Sequence, residues 1–153
     1  LFRSIARRAG LRLVLAAAEN EYYRDVVSPL VDGRDVVYVG EVGHEEKVRL
    51  LGGARALLYP LQSAESFGLV VAEAAACGTP TAALDQGAVR ELVEDDVTGR
   101  VFTSIDSLIQ GLPAIMGLDR QRVREVAVER FGIDRMVDGY LEVYAACLQA
   151  ART

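Results

Sequence analysis

Residues 65–80 read E-S-F-G-L-V-V-A-E-A-A-A-C-G-T-P, a helix-forming stretch with a charge in an unusual place. Residues 66–77 are expected to be helical, with Gly78 stopping the helix and Thr79-Pro80 leading into the next apolar run. Glu73 falls among Leu69, Val70, Val71, Ala72, Ala74, Ala75 and Ala76. A carboxylate in such company is costly to bury without a partner, so either an internal arginine or a ligand has to meet it. A second carboxylate, Glu65, stands just before the helix. The first backbone N–H groups, near Phe67, Gly68 and Leu69, have no carbonyl partners within the helix and carry the positive end of its dipole. Such a terminus readily takes an anion, with phosphate its usual guest, and Gly68 has no side chain to block the approach. Ser66 could instead cap the helix. The helix alone does not separate these two readings.

Outward from this stretch, short apolar runs alternate with helical ones. Helices are expected over 1–9, 21–30, 45–52, 66–77, 88–93, 105–116, 119–130 and 134–150, with Ser28-Pro29 disturbing the end of the second. Strands are expected over 11–17, 36–40, 56–59, 79–84 and 100–102. This alternation implies an α/β fold, a doubly wound parallel sheet with helices on both faces. In such a sheet, ligands collect outside the carboxyl ends of the strands. The segments 40–44, 61–65 and 85–88 each follow a strand there, so they could line one pocket or be three ordinary connections.

Composition narrows the function. A chain of 153 residues, 51% apolar, is one domain able to bury a core. Its net charge of −5 argues against a nucleic-acid partner, which needs a basic face. Cys77 and Cys147 show no metal-ligand spacing and read as reduced thiols. No apolar run is long enough for a transmembrane segment. Arg3, Arg7 and Arg8 interrupt the start of the chain, unlike a signal peptide, so a cytoplasmic location is expected. With one histidine, His44, no Ser/His/Asp or Cys/His triad can be assembled.

The full string from Glu65 to Pro80 resembles the E-x7-E motif of retaining, GT-B-type glycosyltransferases of family 4. Their common form is roughly E-x-F-G-L-x-x-x-E-A-M-A-C-G-T-P. The chain agrees at Glu65, Phe67, Gly68, Leu69, Glu73, Ala74, Ala76, Cys77, Gly78, Thr79 and Pro80, with Ala75 at the usual Met. Tyr38-Val39-Gly40-Glu41-Val42 is similar to the family's F-x-G-x-V segment, and Lys47 follows at a spacing that some members share. The stretch ending at Tyr59-Pro60 is similar to the strand entering the motif. Gly87, Glu91-Leu92-Val93, Thr98-Gly99 and Glu129-Arg130-Phe131 extend the likeness over nearly the whole chain.

The resemblance implies a Rossmann-like C-terminal, donor-binding GT-B domain over 1–153, lacking its first strand and its N-terminal partner domain. It implies a nucleotide-diphosphate sugar as donor substrate, with no separate cofactor and no metal ion required. Glu65 would bind the hydroxyls of the donor sugar and is the catalytic candidate. Ser66, Phe67, Gly68 and Leu69 would hold the diphosphate or orient the sugar. Glu73 would take the two ribose hydroxyls, which suits its paired acceptors. Gly40, Glu41 and Val42 would flank the base, with Lys47 nearby. The acceptor would be a glycan, a lipid or a small molecule, bound by the missing N-terminal domain, which could also bring the enzyme to a membrane surface. The isolated chain is expected to have little transferase activity. The competing expectations are a non-catalytic nucleotide-binding or assembly module and another GT-B enzyme such as a sugar-nucleotide epimerase. His44 reads as solvated, Arg90 stands where the family often has Pro, and Arg120, Arg122, Arg124 and Arg130 read as a solvated helix face. The last helix is apolar on more than one face, as if to pack partly against the missing domain.

Overall fold

The computed structural model describes residues 1–62 and 67–150. Among the described residues, the strands are β1 (Leu13–Leu15), β2 (Val36–Tyr38), β3 (Leu57–Tyr59), β4 (Thr81–Leu84) and β5 (Gly99–Phe102). The α-helices among them are α1 (Phe2–Arg8), α2 (His44–Gly53), α3 (Leu69–Ala76), α4 (Val89–Leu92), α5 (Ile105–Ile115), α6 (Arg120–Phe131) and α7 (Ile133–Ala150). Every strand pairing is parallel, as the alternation predicts. The strands are hydrogen-bonded in two sets, β1-β2 and β3-β4-β5, where one continuous sheet was expected. Leu58 on β3 joins the two sets through side-chain packing, since it lies against both the Leu13/Val36 cluster and the Ala82 cluster.

Neighbouring residues of β4 show how a parallel strand buries both faces. Ala82 packs with Ile5 of α1 and with Leu108, Leu112 and Ile115 of α5. Ala83 packs on the opposite side with Val71 of α3 and with Val89 and Leu92 of α4. The alanines leave room for helices on both sides, and this three-layer core fixes where α3 begins relative to the strand ends. Only the 21–30 segment departs from regular helix. It runs as a π turn over Tyr23–Val27 and a 3-10 turn over Ser28–Leu30, because Pro29 lacks the N–H that a continuing helix requires. Tyr23 stacks on Tyr38 at 4.0 Å between ring centroids, which seats this segment against the end of β2.

Candidate functional site

The motif helix starts later than its sequence suggests. α3 begins at Leu69, with Gly68 as its N-cap in the left-handed region at φ +80°. Only glycine fits there at low cost: a Cβ would stand 2.8 Å from the Tyr59 hydroxyl and 3.2 Å from a Leu92 methyl carbon. The first helical N–H groups are therefore those of Leu69 and Val70, while Val71 N–H already donates to Gly68 O at 2.9 Å. Phe67, expected in the first turn, lies outside the helix and is exposed. Among the described residues, no side chain caps this end. The expectations for Glu65 and Ser66 lie outside the described residues.

Glu73 sits one turn into α3. Its side chain keeps 39% exposure, so it is not the fully buried carboxylate that its neighbours suggest. The apolar residues Val71, Ala74 and Ala75 take the core side of the helix and turn Glu73 toward α2. The sequence left an internal arginine or a ligand as the alternatives for its partner, and the structure supplies an internal lysine: Lys47 Nζ donates to Glu73 Oε1 at 2.5 Å. Lys47 is the only lysine of the chain. Half exposure on both sides keeps such a pair modest in energy, but it fixes the carboxylate and leaves Oε2 as a further acceptor.

Gly40 follows β2 in the left-handed region at φ +79°, and its carbonyl accepts from Ala17 N–H at 3.0 Å, tying the segments after β1 and β2 together. Glu41 and Val42 lie between this point and α2, whose N-cap is Gly43. His44 opens α2 and is exposed. The structure thus brings Lys47 directly onto Glu73. It places Gly40, Glu41 and Val42 in the connection entering the helix that carries Lys47, and puts Gly68 and Leu69 at the head of the helix that carries Glu73. Arg90 does not reach this pair. It forms two hydrogen bonds with Asp85, at 2.8 and 2.6 Å, across the segment after β4. That guanidinium holds the Asp85 carboxyl below its ordinary range, and the same hydrogen bond raises Arg90.

Arg120, Arg122 and Arg124 of α6 are exposed, as the reading of a solvated face has it, but three of the four α6 arginines also hold partners elsewhere in the fold. Arg120, Arg124 and Arg130 are fastened to backbone carbonyls at the ends of α2, α3 and α4. Only Arg122 of the four pairs on the surface of α6 itself, with Glu125 at 3.6 Å. Helix C-termini expose unpaired carbonyls at the negative dipole end, which is what a guanidinium satisfies. These partners lie 39 to 68 residues away in sequence, so no local pattern announces them.

Among the described residues, no helix is long and apolar enough to cross a membrane. Residues 2–116 match the family described as "Glycosyl transferases group 1". A D-inositol 3-phosphate glycosyltransferase of Xylanimonas cellulosilytica is 43% identical over 88 residues, covering 53% of this chain and 21% of that protein. The crystal structure of AviGT4, a glycosyltransferase involved in avilamycin A biosynthesis, superposes with a TM-score of 0.79 at 30% identity, covering 96% of this chain and 46% of that one. Anabaena HepE, solved in complex with UDP, shares the fold at 20% identity with a TM-score of 0.72, over 94% of this chain and 44% of its own. The chain spans less than half the length of each of these relatives.

Proposed function

The chain belongs to the group 1 glycosyl transferases, and from that premise we propose that it is the donor-binding domain of a retaining, two-domain hexosyltransferase. It holds a nucleotide-diphosphate sugar. A partner domain supplies the acceptor, whose hydroxyl receives the sugar with its anomeric configuration retained. The carrying observation is Glu73 itself: a half-exposed carboxylate, oriented by Lys47, one turn inside a helix whose N-terminus has no side-chain cap among the described residues. A carboxylate so placed accepts both ribose hydroxyls of a nucleotide whose phosphates lie toward the start of α3. On this reading the phosphates meet the N–H groups of Leu69 and Val70, the first of α3. Gly68 clears the approach, Phe67 stands next to it, and Ser66 is assigned to the same group of contacts by the family resemblance alone. The 40–42 connection flanks the base, and Glu65 orients the donor sugar.

In the transfer, the bond from the anomeric carbon to the phosphate oxygen breaks while the acceptor oxygen bonds to the same face of that carbon. The acceptor's proton passes to the departing phosphate oxygen. The site's contribution is to stabilise charge growing on the diphosphate, and the preorganised N–H groups of α3 supply that without rearrangement. Glu65 then holds the sugar and needs no nucleophilic role. The UDP in HepE supports a nucleoside diphosphate as the ligand class. The reading places the enzyme in the cytoplasm, peripheral to a membrane where its acceptor is a lipid.

The test is an NMR titration of the labelled chain with UDP, GDP and ADP. One nucleotide is expected to shift signals around Gly68, Val70 and Glu73. Glu73→Ala should weaken its binding about 10- to 100-fold, the loss of charged hydrogen bonds to two hydroxyls. Binding that Glu73→Ala leaves unchanged would overturn the assignment. Robust glycosyl transfer by the 153-residue chain alone would overturn the two-domain reading.

A further inference from the structure

Arg120 stands at the start of α6 and reaches across to the end of α2 and to the segment that follows α3. Its Nη1 donates to Ala54 O at 2.7 Å, and its Nη2 donates to Gly52 O at 2.6 Å and to Thr79 Oγ1 at 2.9 Å. Thr79 is fully buried, and its hydroxyl passes the chain on by donating to Leu51 O at 2.5 Å. One guanidinium and one hydroxyl thus satisfy the last carbonyls of α2 and fasten them to the segment that leaves α3. The backbone interlocks as well. Gly78, at φ +73°, lies so close that a Cβ would stand 2.8 Å from the Arg120 carbonyl oxygen. Four residues on from Arg120, Arg124 donates to the carbonyl of Ala76, the last residue of α3, at 2.5 Å.

We propose that Arg120 is a positioning residue for the candidate nucleotide site: by clasping the end of α2 to Thr79, it sets the approach of α2 to α3 that places Lys47 on Glu73. Lys47 lies one helical turn, about 6 Å, before Leu51, so the clasped end and the lysine move as one rigid piece. Glu73 lies one turn before Cys77, on the helix whose exit holds Gly78 and Thr79. The Lys47–Glu73 contact is therefore the readout of a joint made on the far side of both helices. The clasp also gives the Gly78-Thr79 pair of the motif a physical role: close approach to α6 for the first, a hydroxyl shared between two helices for the second. The consequence for nucleotide binding rests on the reading of Glu73 as the ribose acceptor. The consequence for Lys47 does not.

The lone lysine makes this measurable, because lysine-labelled protein gives one side-chain signal. In the unmodified chain, Glu73→Gln should shift the Lys47 Cε signal by removing its charged partner. In an Arg120→Met background the same Glu73→Gln change should produce little of that shift, while an Arg122→Met background should keep it whole. UDP, GDP and ADP titrations of the same samples should show about tenfold weaker binding for Arg120→Met, as expected when a binding group is displaced, and none for Arg122→Met. A full Lys47 response in Arg120→Met, or an equal loss in Arg122→Met, overturns the proposal. Should Arg120→Met fail to fold, Thr79→Val removes the shared hydroxyl and decides by the same signal, with Thr79→Ser expected to restore it. If no nucleotide binds the unmodified chain while the Lys47 response still vanishes in Arg120→Met, the donor reading fails and the clasp stands.

Discussion

Helices α6 and α7 follow one another with a single intervening glycine, and their compositions point opposite ways from their packing. α6 reads R-Q-R-V-R-E-V-A-V-E-R-F, yet it is sewn into the body. Val123, Val126 and Ala127 are buried, Asp119 caps its start, and three arginines hold carbonyls of other helices. α7 carries Ile133, Met136, Val137, Tyr140, Leu141, Val143, Tyr144 and Leu148, and none of them is buried. The difference teaches that long polar side chains fasten a helix when their heads find carbonyls and their stems cover apolar surface. Apolar side chains fasten nothing until a surface meets them.

The sharpest way to break this contrast is in the small apolar seam of α6. Val123 is fully buried against Ala75 of α3. Val123→Ala should cost about 2–3 kcal/mol of unfolding free energy, from lost transfer energy plus an unfilled cavity. Urea denaturation would measure it, and a change under about 0.5 kcal/mol would mean α6 is held by its arginines alone. The cap is next in size. Asp119 Oδ1 accepts from Gln121 N–H at 2.9 Å and from Arg122 N–H at 3.3 Å. Asp119→Ala should cost about 1 kcal/mol, with Asp119→Asn recovering most of it in the same denaturation series. Failure of Asn to recover it would point to the charge at the helix dipole in place of the hydrogen bonds.

Most of the architecture was legible because apolar runs and glycine stops are local signals. Gly10, Gly40, Gly78 and Gly99 all adopt positive φ at or next to element boundaries, and the strand and helix ranges follow them closely. What escaped was set by contacts distant in sequence. The helix start at Leu69 is one case: Gly68 takes the left-handed cap position, where Tyr59 and Leu92 leave no room for a Cβ. Glu73 was visible as an anomaly within its helix, whereas its partner 26 residues earlier was not identifiable as such. Arg90 was noted as unusual, and only the fold brings Asp85 to it. The arginines of α6 looked like a wet face because nothing in a helical period says that a carbonyl of another helix waits above it. The division of the strands into two hydrogen-bonded sets was equally hidden, since β3 pairs with β4 by register and meets the β1-β2 cluster through the side chain of Leu58.

The smallest expected effect falls on α7, and it tests the other half of the contrast. Leu141 is 59% exposed on a helix that touches the body at its start, beside α6. Leucine and glutamine have nearly equal helix propensity, so Leu141→Gln changes surface chemistry and little else. If α7 stands open in the chain, the substitution should move the unfolding free energy by no more than about 0.5 kcal/mol. A loss of 2 kcal/mol or more would show that α7 folds back and buries Leu141. The same substitution in a protein that includes the proposed partner domain should cost more, because exposed apolar residues on one helix mark a surface built to be covered. An equal, negligible cost in both settings would leave the apolar stripe of α7 without a role in joining the two domains.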